Sequence, residues 1–185
     1  MNVKNVASSI TRIFVAVVVT LGLVWLAFFV YSALNQDPTP QERVEILKSD
    51  STYQITYPSA AELWRGEVPA AYLTPGEIEA SPPGISYYLG THESDEEITA
   101  FFTNAATSNG WTVFREPTKL QFSNERLRFS FRKTGVGWLS VILYEPAQIK
   151  NSPIGEYIPT NGYPTIIEVL LQAECPNYKC PAELL

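Results

Sequence analysis

One histidine and two cysteines are all the chain offers toward soft metal ligation. A structural zinc site or an iron–sulfur cluster needs more ligands than His92, Cys175 and Cys180, and no C-x-x-C-H haem attachment pattern occurs. Nor does a glycine-rich loop open a helix to cradle phosphate, since Gly135-Val136-Gly137 sits between two strand-like runs. No serine is marked as a nucleophile for His92, so a hydrolase working through His92 and a carboxylate ranks third, behind two non-enzymatic readings. Positive charge is short as well. Thirteen Lys and Arg stand against 19 Asp and Glu, a net charge of −6, which is the wrong balance for a nucleic-acid partner. Together these absences point to a protein that is not an enzyme and carries no cofactor and no metal.

Charge is missing altogether from residues 13–34, IFVAVVVTLGLVWLAFFVYSAL. As a helix at about 1.5 Å per residue, these 22 residues reach roughly 33 Å, the thickness of a hydrocarbon layer. Lys4 and Arg12 precede the run, while Asp37, Glu42 and Glu45 follow it, so the positive-inside rule puts residues 1–12 in the cytoplasm. A cleaved signal would have a shorter apolar core and small residues at two spaced positions, but Ala33 has Tyr31 two places before it. No cysteine follows the run, which excludes lipoprotein processing. The expectation is a retained transmembrane helix in a bacterial cytoplasmic membrane, with the remainder on the outer, periplasmic side. Ala16, Thr20 and Gly22 provide small residues at which a second helix could approach.

Past the anchor, residues 35–51 read as a polar linker, because Pro38 and Pro40 discourage a continuing helix. Residues 52–174 are expected to form the extracytoplasmic domain. Within it, TYQITY at 52–57 alternates like a strand, AAELW after Pro58 and Ser59 suggests a helical turn, and 66–84 with four prolines reads as a long loop. ISYYL at 85–89 and TIIEVLL at 165–171 are further strand candidates.

The clearest local signal is SDEEITAFFTNAATSNGW. Ser94 and Glu97 have the spacing of a capping box, and Asp95, Glu96 and Glu97 complement the helix dipole. With Glu93, these acids also pose a calcium-site or carboxylate-pair question that their cap role already answers. Ile98, Phe101, Phe102 and Ala105 form one apolar stripe, and Asn109-Gly110 stops the helix ahead of Trp111. Two hairpins are expected next. A turn at Asn124-Glu125 would set Phe122 opposite Leu127 and Leu120 opposite Phe129, with Gln121 facing Arg128. A loop at 135–137 would set Phe131 opposite Val141 and Phe129 opposite Leu143. The fold class is thus α+β: one N-terminal transmembrane helix, then an antiparallel sheet packed on one principal helix.

YPSAAE, the T-x-E-S-x-E-E lead into the helix with Phe101, the Gly110-Trp111 stop and the LRFSFRK strand, taken together, resemble a bacterial membrane-anchored or lipoprotein-like extracytoplasmic domain, a family mostly of unknown function. The similarity spans roughly 53–145 and implies fold and location, not catalytic residues. This chain departs from it by lacking the lipobox cysteine and by its longer loop before Ile85.

Six of the thirteen basic residues fall between Arg115 and Lys133. Arg126, Arg128 and Arg132 alternate with Leu127, Phe129 and Phe131, and the expected register adds exposed Trp138, Ile142 and Tyr144 to the arginine face, with Tyr144 opposite Arg128. Guanidinium groups beside aromatics suit an acidic partner or lipid headgroups, although basic residues also keep sheet edges apart. Cys175 and Cys180, C-x4-C in an oxidising compartment, are expected to pair and close the 175–185 tail, contributing about 2 kcal/mol. The functional expectation is an accessory or stabilising subunit of a larger bacterial membrane complex, for example in respiratory or photosynthetic electron transfer. Its partners would be the lipid bilayer and other membrane-protein subunits. A sensor or ligand-binding ectodomain using the 66–84 loop is the alternative.

Overall fold

The computed structural model describes residues 3–34, 38–74, 78–119, 125–150, 155–156, 158–159 and 162–174. Side chains are described over the same residues except 3–16, 33–34, 71–74 and 78–80. Two compact units result, residues 1–37 and 38–185.

The first unit holds one helix, α1 (Val3–Leu34). Its described side chains, those of residues 17–32, are all exposed, including Trp25 at 70% and Phe28 at 69%. Among the described residues no helix is long and apolar enough to cross a membrane, so the span expected over 13–34 has no support from that measure.

In the second unit, the segment expected as a linker is a helix, α2 (Pro40–Ser49). Thr39 caps it by accepting from Glu42 N at 3.3 Å, and the Glu42 carboxylate returns to Thr39 N at 2.7 Å, a complete capping box. Pro40 therefore starts the helix, where its missing N–H costs nothing, and does not break one. Val44 and Leu47 point into the core. The chain then turns tightly over Ser51–Gln54, so the strand expected at 52–57 is absent, and Tyr57 packs on Phe101 and Phe102 instead.

Ten further strands and helices follow among the described residues. They are β1 (Ala61–Val68), β2 (Ala71–Thr74), β3 (Ile78–Ser81), β4 (Gly84–Thr91), α3 (Asp95–Ser108), β5 (Thr112–Thr118) and β6 (Leu127–Lys133). β7 (Gly137–Tyr144), the short α4 (Pro146–Lys150) and β8 (Thr165–Ala173) complete the order. All of AAELW but Ala60 thus belongs to a strand, and the expected loop at 66–84 contains the end of β1, a β2–β3 hairpin and the first residue of β4. The main sheet is antiparallel with order β1-β4-β8-β7-β6-β5, which confirms an α+β fold with several helices rather than one.

Alternation sorts the strands' side chains onto two faces. One face buries Ile85, Tyr87, Leu89, Phe129, Phe131, Val141, Leu143, Ile167, Val169 and Leu171 against Ile98, Phe102 and Ala106 of α3 and against α2. The other face is covered at the β1–β4–β8 end, where Ile149 of α4, Ile158 and Tyr163 meet Leu63, Trp64, Tyr88, Tyr144 and Ile166. Helix α3 begins and ends where the sequence indicates, with Ser94 and Glu97 boxed and Gly110 at φ +82°. Its buried stripe is Ile98, Phe102 and Ala106, with Phe101 half-buried beside it.

The β6–β7 register is two residues from the expected one: Phe131 faces Leu139, Phe129 faces Val141 and Leu127 faces Leu143. The connecting loop is Thr134–Val136, one residue earlier than expected, so every side chain keeps its face. Gly137 begins β7 because its φ is +145° and a Cβ there would lie 1.9 Å from the Gln172 carbonyl oxygen. β6 pairs on its far side with β5, Thr118 facing Arg128; the expected partners at 120–124 lie outside the described residues, as do Cys175 and Cys180.

Candidate functional site

At the β5–β6–β7 end no described helix lies over the sheet's second face, and its relief follows from side-chain size. Three rows cross the strands there. One runs Tyr88, Glu168, Ile142, Arg128; the next runs Ser86, Leu170, Ser140, Ser130, Arg115; the third runs Gln172, Trp138, Arg132. Residues two apart along a strand stand about 7 Å apart on one face. Serines directly opposite each other in β6 and β7 therefore leave a low floor between two taller walls. The result is a trough of about 50 Å³, walled by Ile142 and Arg128 on one side and Trp138 and Gln172 on the other, with Arg115 at its β5 end.

Its cations are held in place. Arg128 donates from Nε (2.8 Å) and Nη2 to the Glu125 carboxylate, which engages two of its five N–H donors. Arg132 donates to Glu174 at 3.1 Å and stacks over the Trp138 ring at 5.0 Å, and Glu174 is fixed in turn by Gly135 N at 2.7 Å. Phe114 meets the Trp138 ring edge-on at 4.7 Å.

The structure separates the six residues expected to form one exposed face. Arg128, Arg132, Trp138 and Ile142 do share it, but Trp138 is 8% and Ile142 3% exposed, which corrects the expectation of an exposed apolar patch. Phe114 and Arg132 close over the indole, and Ile142 stands between Glu168 and Arg128 in its row. Arg128 faces Ile142, not Tyr144. Arg126 precedes the strand and turns to the α3 side, where Nη2 bonds Asp95 at 2.5 Å and Thr165 at 2.9 Å. Tyr144 lies under the α4 cover and donates to Glu168 at 2.8 Å, and Ser86 donates to the same carboxylate at 3.2 Å. Burial, and then the Glu168 charge, pushes the Tyr144 and Tyr88 phenols far above their ordinary range.

The sequence reading missed Arg115, Ser130, Ser140 and Gln172. The signal was present as R-x-S-x-R at 128–132 and W-x-S-x-I at 138–142, each a small polar residue between two large ones on the same face.

No family model, curated protein or solved structure matches the chain. Its chemistry is read from geometry alone. His92 lies against the Tyr163 ring with centroids 5.7 Å apart. Glu97 is committed to the Ser94 cap and Asp95 to Arg126. Among the described residues no group of His, Cys, Asp or Glu is placed to hold a metal ion. Among the described residues the trough combines guanidinium and hydroxyl donors with apolar walls.

Proposed function

We propose that this chain is a single-pass membrane protein whose outer domain docks an acidic surface of another membrane protein, as an accessory or stabilising subunit of a larger bacterial complex. The anchor rests on the uncharged run at 13–34, on its helical form, and on the exposure of every described side chain from 17 to 32. A helix apolar on all sides needs a cover, and lipid supplies one. The excess of Lys4 and Arg12 ahead of the run favours a cytoplasmic N-terminus. The resemblance to anchored bacterial ectodomains fits the same placement.

The observation that carries the docking half is the β5–β6–β7 end of the second sheet face, where Arg115, Arg128 and Arg132 gather beside Trp138 in a chain of net charge −6. Glu125 and Glu174 offset part of this charge, so the guanidinium forks act by fixing a partner's orientation at contact. The test is to solubilise the native membrane in mild detergent and size the particle that contains this chain. The expected result is a complex several times the 20.7 kDa chain mass, reduced by Arg132→Glu. A lone monomer in the wild type would overturn the proposal.

A further inference from the structure

We infer that the trough is a seat for one carboxylate: a glutamate side chain on an extended segment of the partner. The carboxylate sits at the Arg115–Arg128 end and its methylenes cross the serine floor between Trp138 and Ile142. The inference rests on the docking reading and narrows it to one chemistry.

Size decides first. At about 50 Å³ the trough is far below the ~300–1,000 Å³ of cofactor and drug-like sites, and it matches a carboxylate with a short stem. Chemistry decides next. Guanidinium groups at one end favour an anion, and their fork geometry suits a carboxylate. The walls beyond them are an indole and a branched aliphatic side chain, which would strip water from a phosphate's remaining oxygens without replacing it but are compatible with methylenes. The floor hydroxyls of Ser130 and Ser140 can donate to a carboxylate oxygen or accept from the partner's backbone. Preorganisation decides third: Glu125 holds Arg128 and Glu174 holds Arg132, so little side-chain freedom remains to be lost on binding. Adding a strand to β5 is the competing use of this end of the sheet. Pro117 and two register breaks, between Val113 and Arg115 and between Arg115 and Thr118, make that edge a poor template.

The experiment uses the full chain in detergent micelles with 15N-labelled tryptophan, the Trp138 indole signal being assigned by Trp138→Phe. The probe is an end-blocked five-residue peptide with one glutamate between two leucines, compared with the same peptide carrying glutamine. The glutamate peptide is expected to shift the Trp138 signal saturably and to bind at least tenfold tighter than the glutamine peptide. Arg115→Gln, at an exposed edge position, should weaken it at least tenfold, and Ser140→Leu, which fills the floor, should abolish it. Equal binding of the two peptides, an unmoved Trp138 signal, or wild-type affinity in Arg115→Gln would each overturn the inference. A thermal melt accompanies Ser140→Leu, and if that variant unfolds the Arg115→Gln result decides. The native particle separates the two readings. A particle lost in Arg132→Glu but intact in Ser140→Leu removes the carboxylate seat and keeps the docking surface; one unchanged in both removes both.

Discussion

Replacing Asp50 with alanine is expected to be among the most damaging single changes in the folded unit. Its side chain is 6% exposed and closes the gap between the end of α2, the start of β5 and the end of β6. It accepts from Thr52 N at 3.0 Å, Thr52 Oγ1 at 2.5 Å, Trp111 Nε1 at 3.3 Å and the Lys133 ammonium at 2.6 Å. Alanine leaves the indole N–H and the Thr52 N–H without this acceptor and strands the ammonium, which keeps its bond to the Asn109 carbonyl at 2.8 Å. With ~1–3 kcal/mol for each buried group left unpaired, and some relief through Asn109, the loss should be about 3–4 kcal/mol. In a unit of this size that is a fall in Tm of roughly 6–15 °C. Asparagine preserves an acceptor for Thr52 and Trp111 and should cost about half as much. Burial alone would raise the Asp50 pKa, but Lys133 and the two Thr52 bonds outweigh it and hold the carboxyl below its ordinary 3.8. A depressed folded pKa means that the charge stabilises fully above about pH 4 and ceases to do so as pH falls through the folded value. Thermal unfolding followed by near-ultraviolet circular dichroism at pH 7 and pH 3 is the assay. A Tm fall of less than 2 °C for Asp50→Ala at pH 7, or an Asp50→Asn penalty as large at pH 3 as at pH 7, would refute the reasoning.

Three further outcomes follow from the geometry. Leu47→Ala should cost about 2–5 kcal/mol in denaturant unfolding, because its side chain is fully buried; a residue in a free linker would show no change. Ser94→Ala removes the acceptor for Glu97 N and should cost about 1 kcal/mol, most of it recovered by Ser94→Asp. Gly137→Ala forces a Cβ against the Gln172 carbonyl and should destabilise by at least about 3 kcal/mol, seen as loss of soluble yield or a collapsed Tm.

What the sequence revealed was local. Helix α3 was legible because its cap, stripe and stop all lie within eighteen consecutive residues, 94–111. Helix α2 was missed although its signal is also local: Thr39 and Glu42 form the same kind of box, but the two prolines around Thr39 drew the reading toward an extended linker. The faces of β6 and β7 were legible and their register was not, because a shift of two residues leaves the alternation unchanged. The trough depends on which strands become neighbours. Ser130 and Ser140 meet across a hairpin, but Gln172 and Leu170 arrive from β8 and Arg115 from β5, and no periodicity along the chain specifies those pairings.

The position of β8 has a consequence for how the molecule is made. The last strand among the described residues lies third in the sheet, between β4 and β7. Until Thr165–Ala173 has emerged, a β1–β4 ribbon and a β5–β6–β7 meander each present an inner edge with nothing to bond to. Pairing with β8 satisfies both of these inner edges at once.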